Sequence, residues 1–563
     1  MTSPTPCRLN GGHILVEQLI THGTDKIFCV PGESYLAVLD ALYTHQDKIR
    51  TYVARQDGGA AFMAAAYGKF TGTPGICFVT RGPGASNASI AVHTAFQDSD
   101  PMILFIGQVA SDQVEREAFQ EIDYRRMFAP LCKWVAQIDR VDRIGEYVAR
   151  AYATATSGRP GPVVLALPED MLTSLGEPQH LAPYTITQAS LGPLQMQALQ
   201  NALEAAEKPL VILGGAGWSA EGTKHLQQFI EGFDLPVACA FRFQDAYDND
   251  LPNYVGDAGI GINPALGQAI KAADLIIAIG ARLGEMTTGG YTLLTPPRSA
   301  QKLIHIHNDV LELNRVYQAD LAIASGMNEF AALASTLPTR KKFSSHTQTL
   351  RHAYEHWQSA AYQGMPGTLE LATVVRAFAA NPDTTVYTNG AGNFSGWLHR
   401  FHRYRRPNTL RTQLAPSSGS MGYGVPAAIA AKITDPDRLV VCFTGDGDFM
   451  MTVQELATAV HYRVGVIFMI SNNGYYGTIR LHQEREYTGR VSGTDFSNPD
   501  FAAMAKSFGA HGECVRHTDE FAPAYERAIA ASQQGIPAVL DLVIDADAIT
   551  TQTTISKMRA AKK

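Results

Sequence analysis

Leu439-Val440-Val441-Cys442-Phe443-Thr444-Gly445-Asp446-Gly447-Asp448-Phe449 is an apolar run that stops at a glycine-flanked carboxylate. Residues 464–470 form a second apolar run, which stops at Ser471-Asn472-Asn473-Gly474-Tyr475. Short β-branched runs separated by a helical pattern predict neighbouring strands of a parallel sheet. Each polar cluster then stands at the C-terminal end of a strand, where open α/β sheets place ligands. The glycines around Asp446 let backbone N–H groups approach a phosphate closely. A carboxylate, a side-chain amide and a backbone carbonyl make an oxygen set that suits Mg2+, which commonly adds phosphate oxygens to a few protein ligands. Gly-Asp-Gly alone is a common turn. With Asn472-Asn473 on the next strand end, a ligand site becomes the better reading.

The same alternation runs outward through the chain. Strands are expected at 26–30, 76–80, 102–106 and 163–167, with a helical pattern at 59–70 between them. A second group is expected at 209–213, 275–279 and 302–307, and a third at 385–388, 439–444, 464–470 and 538–543. A stretch rich in Gly, Pro and Gln (174–193) and a polar stretch (338–349) read as linkers. The expected fold class is therefore α/β, with three doubly wound parallel-sheet domains at 1–173, 194–337 and 350–550 and a C-terminal tail at 551–563. Segments one and three are candidates for distant structural copies. The length of 563 residues agrees with about three domains.

Composition narrows the function. The chain is 45% hydrophobic and 18% charged, with a net charge of −7 spread without long runs of one sign. That fits a soluble globular protein and gives no clustered cationic surface for nucleic acid or membrane. No apolar run approaches the roughly 18 residues of a membrane helix. Met1-Thr2-Ser3-Pro4-Thr5-Pro6 has neither the positive start nor the apolar core of a signal peptide. Seven cysteines (Cys7, Cys29, Cys77, Cys132, Cys239, Cys442, Cys514) include no CxxC pair. Buried thiols and a reducing, cytoplasmic setting are expected.

Gly445-Asp446-Gly447, with 26 residues from Asp446 to Asn472 and Asn473 next, resembles the cofactor motif of the thiamine-diphosphate (ThDP)-dependent decarboxylase and acetolactate synthase superfamily. The resemblance covers nearly the whole chain and is closest to the acetolactate-synthase-like branch. It implies that Asp446, Asn473 and the backbone carbonyl of Tyr475 bind Mg2+, with Gly447 and Asp448 beside the cofactor. Gly419-Ser420-Met421-Gly422 resembles a loop whose Met is a wedge that bends the cofactor, which makes Met421 the wedge and Ser420 its neighbour. Thr388-Asn389-Gly390-Ala391-Gly392-Asn393 matches a loop that holds the diphosphate, with Asn393 as the side-chain contact.

Segment one resembles the family's pyrimidine-binding domain. Cofactor contacts are implied at Pro31 in Val30-Pro31-Gly32-Glu33, and at Pro83 and Asn87 in Thr80-Arg81-Gly82-Pro83-Gly84-Ala85-Ser86-Asn87. Between these loops lies Arg55-Gln56-Asp57-Gly58-Gly59-Ala60-Ala61, where the family usually carries Glu. That Glu hydrogen-bonds N1′ of the aminopyrimidine and so activates the cofactor. Asp57 keeps the acid but is one methylene shorter, and a misplacement of about 1 Å can cost roughly 100-fold in rate. Three readings stand open: a working Asp57, an engineered slow variant, or a chain that binds cofactor with little turnover. His93, Gln120 and His482 are the candidates to steer the bound donor toward protonation or ligation. A hydrogen-bonded structural role is the alternative for His93.

Ile279-Gly280-Ala281-Arg282-Leu283-Gly284-Glu285-Met286 corresponds to the branch's FAD-contacting segment, but its second Arg is absent. This argues against bound FAD without removing it from consideration. His482 stands where the biosynthetic synthases carry a Trp that shapes the acceptor pocket. Arg480 and Arg485 are either contacts for a carboxylated substrate or surface charge. The resemblance implies ThDP- and Mg2+-dependent carboligation of a 2-oxo acid or related acyl donor with a carbonyl acceptor. A simple 2-oxo acid decarboxylase or acyl-CoA-type lyase is the alternative. It also implies a homodimer at minimum, paired into a homotetramer. A nicotinamide dehydrogenase would need G-x-G-x-x-G opening a helix, and no convincing copy is present. A non-enzymatic binding paralogue would have no need of the Asp446–Asn473 motif.

Overall fold

The computed structural model describes residues 8–360, 363–405 and 411–561. Contacts divide the chain into two units, one formed by residues 1–187 with 429–434 and the other by 188–428 with 435–563. Within these units lie three six-stranded sheets, and every strand pair in them is parallel. Helices flank each sheet, so the expected α/β class and three doubly wound sheets are what the chain forms.

The first sheet runs Arg50–Val53, Lys26–Cys29, Gly75–Val79, Met102–Gln108, Pro162–Pro168, Trp134–Gln137. Its central strands are buried on both faces, and stacked Phe78 and Phe105, 4.7 Å apart, join two of them. The third sheet runs Gln413–Leu414, Val386–Thr388, Val440–Gly445, Ile467–Asn472, Ala538–Val543, His511–Val515. Numbered by their own chain order, both sheets read 2-1-3-4-6-5. This shared topology supports the reading of segments one and three as structural copies. The order reverses between strands 1 and 3, so the crevice for a ligand opens where those strands end. In the third sheet those ends lead to Asn389 and Asp446; in the first they lead to Pro31 and Thr80.

The central sheet runs Tyr254–Ala258, Val237–Ala240, Pro209–Leu213, Leu275–Ile279, Lys302–His307, Leu321–Ala324. This is the 3-2-1-4-5-6 order of dinucleotide-binding folds. Four strands, Pro209–Leu213, Leu275–Ile279, Lys302–His307 and Ala538–Val543, have the bounds the sequence suggests. The strands that were not anticipated include the sheet-edge members Arg50–Val53, Trp134–Gln137, Leu321–Ala324 and His511–Val515, whose faces are partly open to solvent. The polar stretch 338–349 is not wholly a linker, because helix Ser344–Ser359 begins inside it. Leu175–Gly176, in the other expected linker, pairs antiparallel with Leu9–Asn10.

Helix Ile555–Ala560 packs on helix Gly477–Glu486 through Leu481, Ile549, Ile555 and Met558, and Arg559 pairs with the buried Glu484. Cys29, Cys77, Cys132, Cys239 and Cys442 are buried thiols and Cys514 is exposed; Cys7 lies outside the described residues. No helix is long and apolar enough to cross a membrane among the described residues.

Candidate active site

Asp446 opens helix Asp446–Met450 directly after strand Val440–Gly445 and is 3% exposed. Its Oδ2 accepts the backbone N–H groups of Asn473 at 3.1 Å and Gly474 at 2.7 Å, and its Oδ1 accepts that of Gly447 at 2.9 Å. Burial pushes its carboxyl up, while these N–H groups and the Asn498 amide pull it down. The Asn473 side-chain oxygen accepts the N–H of Tyr475 at 3.0 Å, which curls the loop so that both residues stay beside Asp446. Asn498 is a site residue that the sequence reading missed. Its side-chain N–H group donates to Asp446 Oδ2 and to Asn472 Oδ1, each at 2.9 Å. The only sequence signal there is Asn498-Pro499, a turn dipeptide. The backbone of 494–496 bonds to that of 474–476 and lies as a strap along the loop. Gly447 has no room for a side chain: a Cβ would meet the Tyr476 ring at 2.6 Å.

Asp448 is also buried, and both its oxygens are engaged inside the protein. Oδ1 accepts the Gly422 N–H and Oδ2 accepts the Thr444 hydroxyl, each at 2.7 Å. Burial raises its carboxyl to about 6 against these bonds. Asp448 thus braces the Met421 loop against the Asp446 strand. Gly422 sits at φ +78°, and its carbonyl accepts the Thr452 hydroxyl at 2.8 Å. Met421 is half-buried, and Ser420 pairs with Ser418 at 3.2 Å. Asn393 donates to the Ile549 carbonyl at 3.1 Å and accepts from Thr478 at 3.0 Å, so its amide links the 389–393 loop to the helix after Tyr475.

In the first unit, Asp57 is the first residue of helix Asp57–Thr71, capped by the Gln56 side chain on the Gly59 N–H at 3.0 Å. A carboxylate there also sits favourably at the positive end of the helix dipole. Asp57 is 8% exposed. Oδ2 accepts the Asn87 amide at 3.1 Å, and Oδ1 is buried with no hydrogen-bond partner. A Cβ on Gly84 would lie 3.0 Å from Oδ1, so the Gly-Pro-Gly loop passes directly over the acid. Gly32, next to Pro31, packs on Thr80, and Ser34 bonds to Thr80 at 3.0 Å. Pro83 is exposed at the start of helix Gly82–Asp98. The Gln120 carbonyl accepts the Gly82 N–H at 3.0 Å, and Arg81 joins the same loops through Glu33 and Glu169. Pro31, Asp57, Pro83, Asn87 and Gln120 are therefore gathered on loops and the N-terminal turns of two helices around one strand-end crevice.

Models of three ThDP-enzyme domains match this chain: the N-terminal TPP binding domain at residues 9–127, the central domain at 196–333, and the C-terminal TPP binding domain at 390–542. The large subunit of acetolactate synthase from Parasynechococcus marenigrum is 32% identical, over 95% of this chain and 88% of its own. The chain belongs to the acetolactate-synthase-like family of ThDP enzymes. The isozyme 2 large subunit from Escherichia coli is 29% identical over 91% of this chain and 92% of its own length. The mitochondrial catalytic subunit from Saccharomyces cerevisiae is 30% identical over 91% and 78%.

Among the other candidates, the two histidines lie on exposed helix faces. His93 is exposed on helix Gly82–Asp98, about three turns beyond the Gly-Pro-Gly loop. His482 is exposed on helix Gly477–Glu486. Arg480 on the same helix stacks over the Tyr475 ring at 4.3 Å and donates to the Ala546 carbonyl at 3.2 Å, so it buttresses the loop. Arg485 is exposed. In the family's central domain, Gly214 and Gly215 follow the first strand at the reversal point, but Met327 and Trp218 lie against them. Arg282 pairs with the buried Glu312 at 3.3 Å.

Proposed function

We propose that this chain uses ThDP and Mg2+ to cleave and form the carbon–carbon bond beside the carbonyl of a 2-oxo acid, with carboligation to a second carbonyl as its main outcome. The observation that carries the reading is the pair of strand-end sites: a buried acid with one unsatisfied oxygen at Asp57, and an oxygen set at Asp446, Asn473 and Tyr475. Among the described residues, no group of three or more His, Cys, Asp and Glu gathers that could hold a metal. The Asp446 set is of another kind, one carboxylate, one amide oxygen and one backbone carbonyl, and such hard donors suit Mg2+ completed by phosphate oxygens. Asp57 Oδ1 suits a ring N–H donor for the converse reason, since a buried acceptor without a partner costs free energy until one arrives.

ThDP supplies the electron sink for the carbon–carbon chemistry. The chain's part is to hold and orient. Asp446, Asn473 and the Tyr475 carbonyl hold the metal; Asn393, Ser420, Gly447 and the braced 389–393 and 419–422 loops hold the diphosphate; Met421 supports the bend. Asp57, aimed by Asn87, accepts and returns the activating proton, with Pro31 and Pro83 walling the ring. Gln120 is the polar group set to meet the donor. His93 and His482 lie on exposed helix faces and would act only where another chain covers them, consistent with the homodimer or homotetramer that the resemblance implies. No role is assigned to FAD, because the second Arg of the branch's FAD-contacting segment is absent from Leu283-Gly284-Glu285-Met286. The proposed setting is the cytoplasm.

The test is calorimetric titration with ThDP and Mg2+, followed by CO2 release and product analysis on pyruvate, glyoxylate and aromatic 2-oxo acids. A ligated hydroxy-ketone product supports carboligation. Aldehyde alone moves the assignment to the decarboxylase alternative. Binding with no turnover on any donor overturns the enzymatic reading.

A further inference from the structure

The segment Phe241-Arg242-Phe243-Gln244-Asp245 leaves the central sheet after strand Val237–Ala240 and carries three polar side chains that are 4%, 2% and 0% exposed, Arg242, Gln244 and Asp245 in that order. All three cross to the third sheet's segment 411–416, which leads into the Met421 loop. Asp245 accepts both Arg411 and the backbone N–H groups of Thr412 and Gln413, the last two at 3.0 and 3.1 Å. Gln244 exchanges bonds with Gln413 and donates to the His399 carbonyl at 2.7 Å. His399 in turn bonds to Asn389, at the head of the 389–393 loop, at 3.3 Å.

Arg242 is the unusual member. It stands at φ +62° in a tight turn closed by the Phe243 N–H on the Ala240 carbonyl, a position that suits glycine and that L side chains rarely adopt. Its guanidinium donates to the Pro416 carbonyl. Its charge also opposes protonation of His399. One buried cation from the central domain therefore reaches the Pro416 carbonyl, at the start of the loop that leads to Met421, and lies near the His399 that bonds to Asn389.

We infer that Arg242 is a positioning residue for the cofactor: with Gln244 and Asp245 as its latch, it sets the Pro416–Gly422 loop in the arrangement that receives the diphosphate. The hydrogen bond of the guanidinium to the Pro416 carbonyl is the contact that accompanies the strained backbone at φ +62°. The inference rests on the proposed ThDP function and deepens it by giving the central domain a part in cofactor binding.

Arg242→Gly separates the guanidinium contact from the backbone strain. Glycine accepts φ +62° without strain, which offsets part of the cost of the emptied site, so the variant folds with a melting midpoint below that of wild type and is compared at a temperature where both are folded. Loss of the charged hydrogen bond weakens ThDP affinity by roughly tenfold or more, read by calorimetry in excess Mg2+. Arg242→Lys keeps the charge but not the fork, and restores part of the affinity. ThDP binding within twofold of wild type in the Gly variant, or a Lys variant no better than Gly, overturns the inference alone. A wild-type chain that takes up no ThDP overturns the proposed function and this inference with it.

Discussion

Asn87 donates its side-chain amide to Oδ2 of Asp57 at 3.1 Å and leaves Oδ1 of the same buried carboxylate without a partner. One oxygen is thus used to aim the acid and the other stands ready. Asp57→Asn removes the acceptor charge and is expected to lower kcat at least 100-fold while ThDP still binds, since no diphosphate or metal contact is lost. Asp57→Glu advances the carboxylate by about 1 Å and is expected to raise kcat by up to roughly 100-fold. Steady-state rates with the best donor decide; an unchanged or lower rate would mean that the crevice under Gly84 is built around the shorter acid.

Asn498 reaches Asp446 without being one of the proposed Mg2+ ligands. Groups that hold a ligand in place typically matter by about 10–100-fold in metal affinity. Asn498→Ala is expected to weaken Mg2+-dependent ThDP binding in that range, with the apparent melting midpoint little changed. Equal Mg2+ titration curves for the two proteins would contradict it.

Gly422 sits at φ +78°, with Met451 and Thr452 each 3.1 Å from where a Cβ would stand. Gly422→Ala strains the turn by about 1–3 kcal/mol and shifts the Asp448-bound loop. The expected result is a lower denaturation midpoint together with weaker ThDP binding. A variant with both properties intact would show that the loop tolerates another turn.

His307 is 3% exposed in strand Lys302–His307, and burial with the neighbouring His305 lowers its ring to about 4. His305 is lowered too, by burial, and its Nε2 bonds to the Ala281 carbonyl at 2.8 Å. An unfolded chain takes up protons near pH 6.5 that the folded one refuses until about pH 4. Stability from His307 is thus complete above about pH 6.5 and is lost as pH falls toward 4. Unfolding in urea should become easier by about 2 kcal/mol between pH 7 and pH 5, and His307→Gln should flatten that slope. A protein as stable at pH 5 as at pH 7 would refute the assignment.

The strands legible in the sequence are those buried on both faces, where continuous Val, Ile and Leu runs leave little choice of structure. Arg50–Val53 and His511–Val515 were missed because edge strands mix polar and apolar residues and their pairing is set by a neighbour distant in sequence. Asp446 and Asn473 stood out as candidates because glycines and strand ends surround them; Asp57 stood out through the resemblance alone, since the strand before it, Arg50–Val53, was missed. Asn498 and Arg242 did not: each acts through a loop brought close only by the fold, and no local pattern marks it. Asp448 was legible as a site residue, but its work as a brace depends on Gly422 and Thr444, which only the packed loops bring to it.

Helix Ile555–Ala560 backs the helix that follows Tyr475, through Ile555, Met558 and the Arg559–Glu484 pair. During synthesis the Asn473 loop leaves the ribosome well before this brace exists. A nascent chain therefore carries the Asn473 loop and the helix after it with the Leu481 face uncovered and Glu484 without its Arg559 partner.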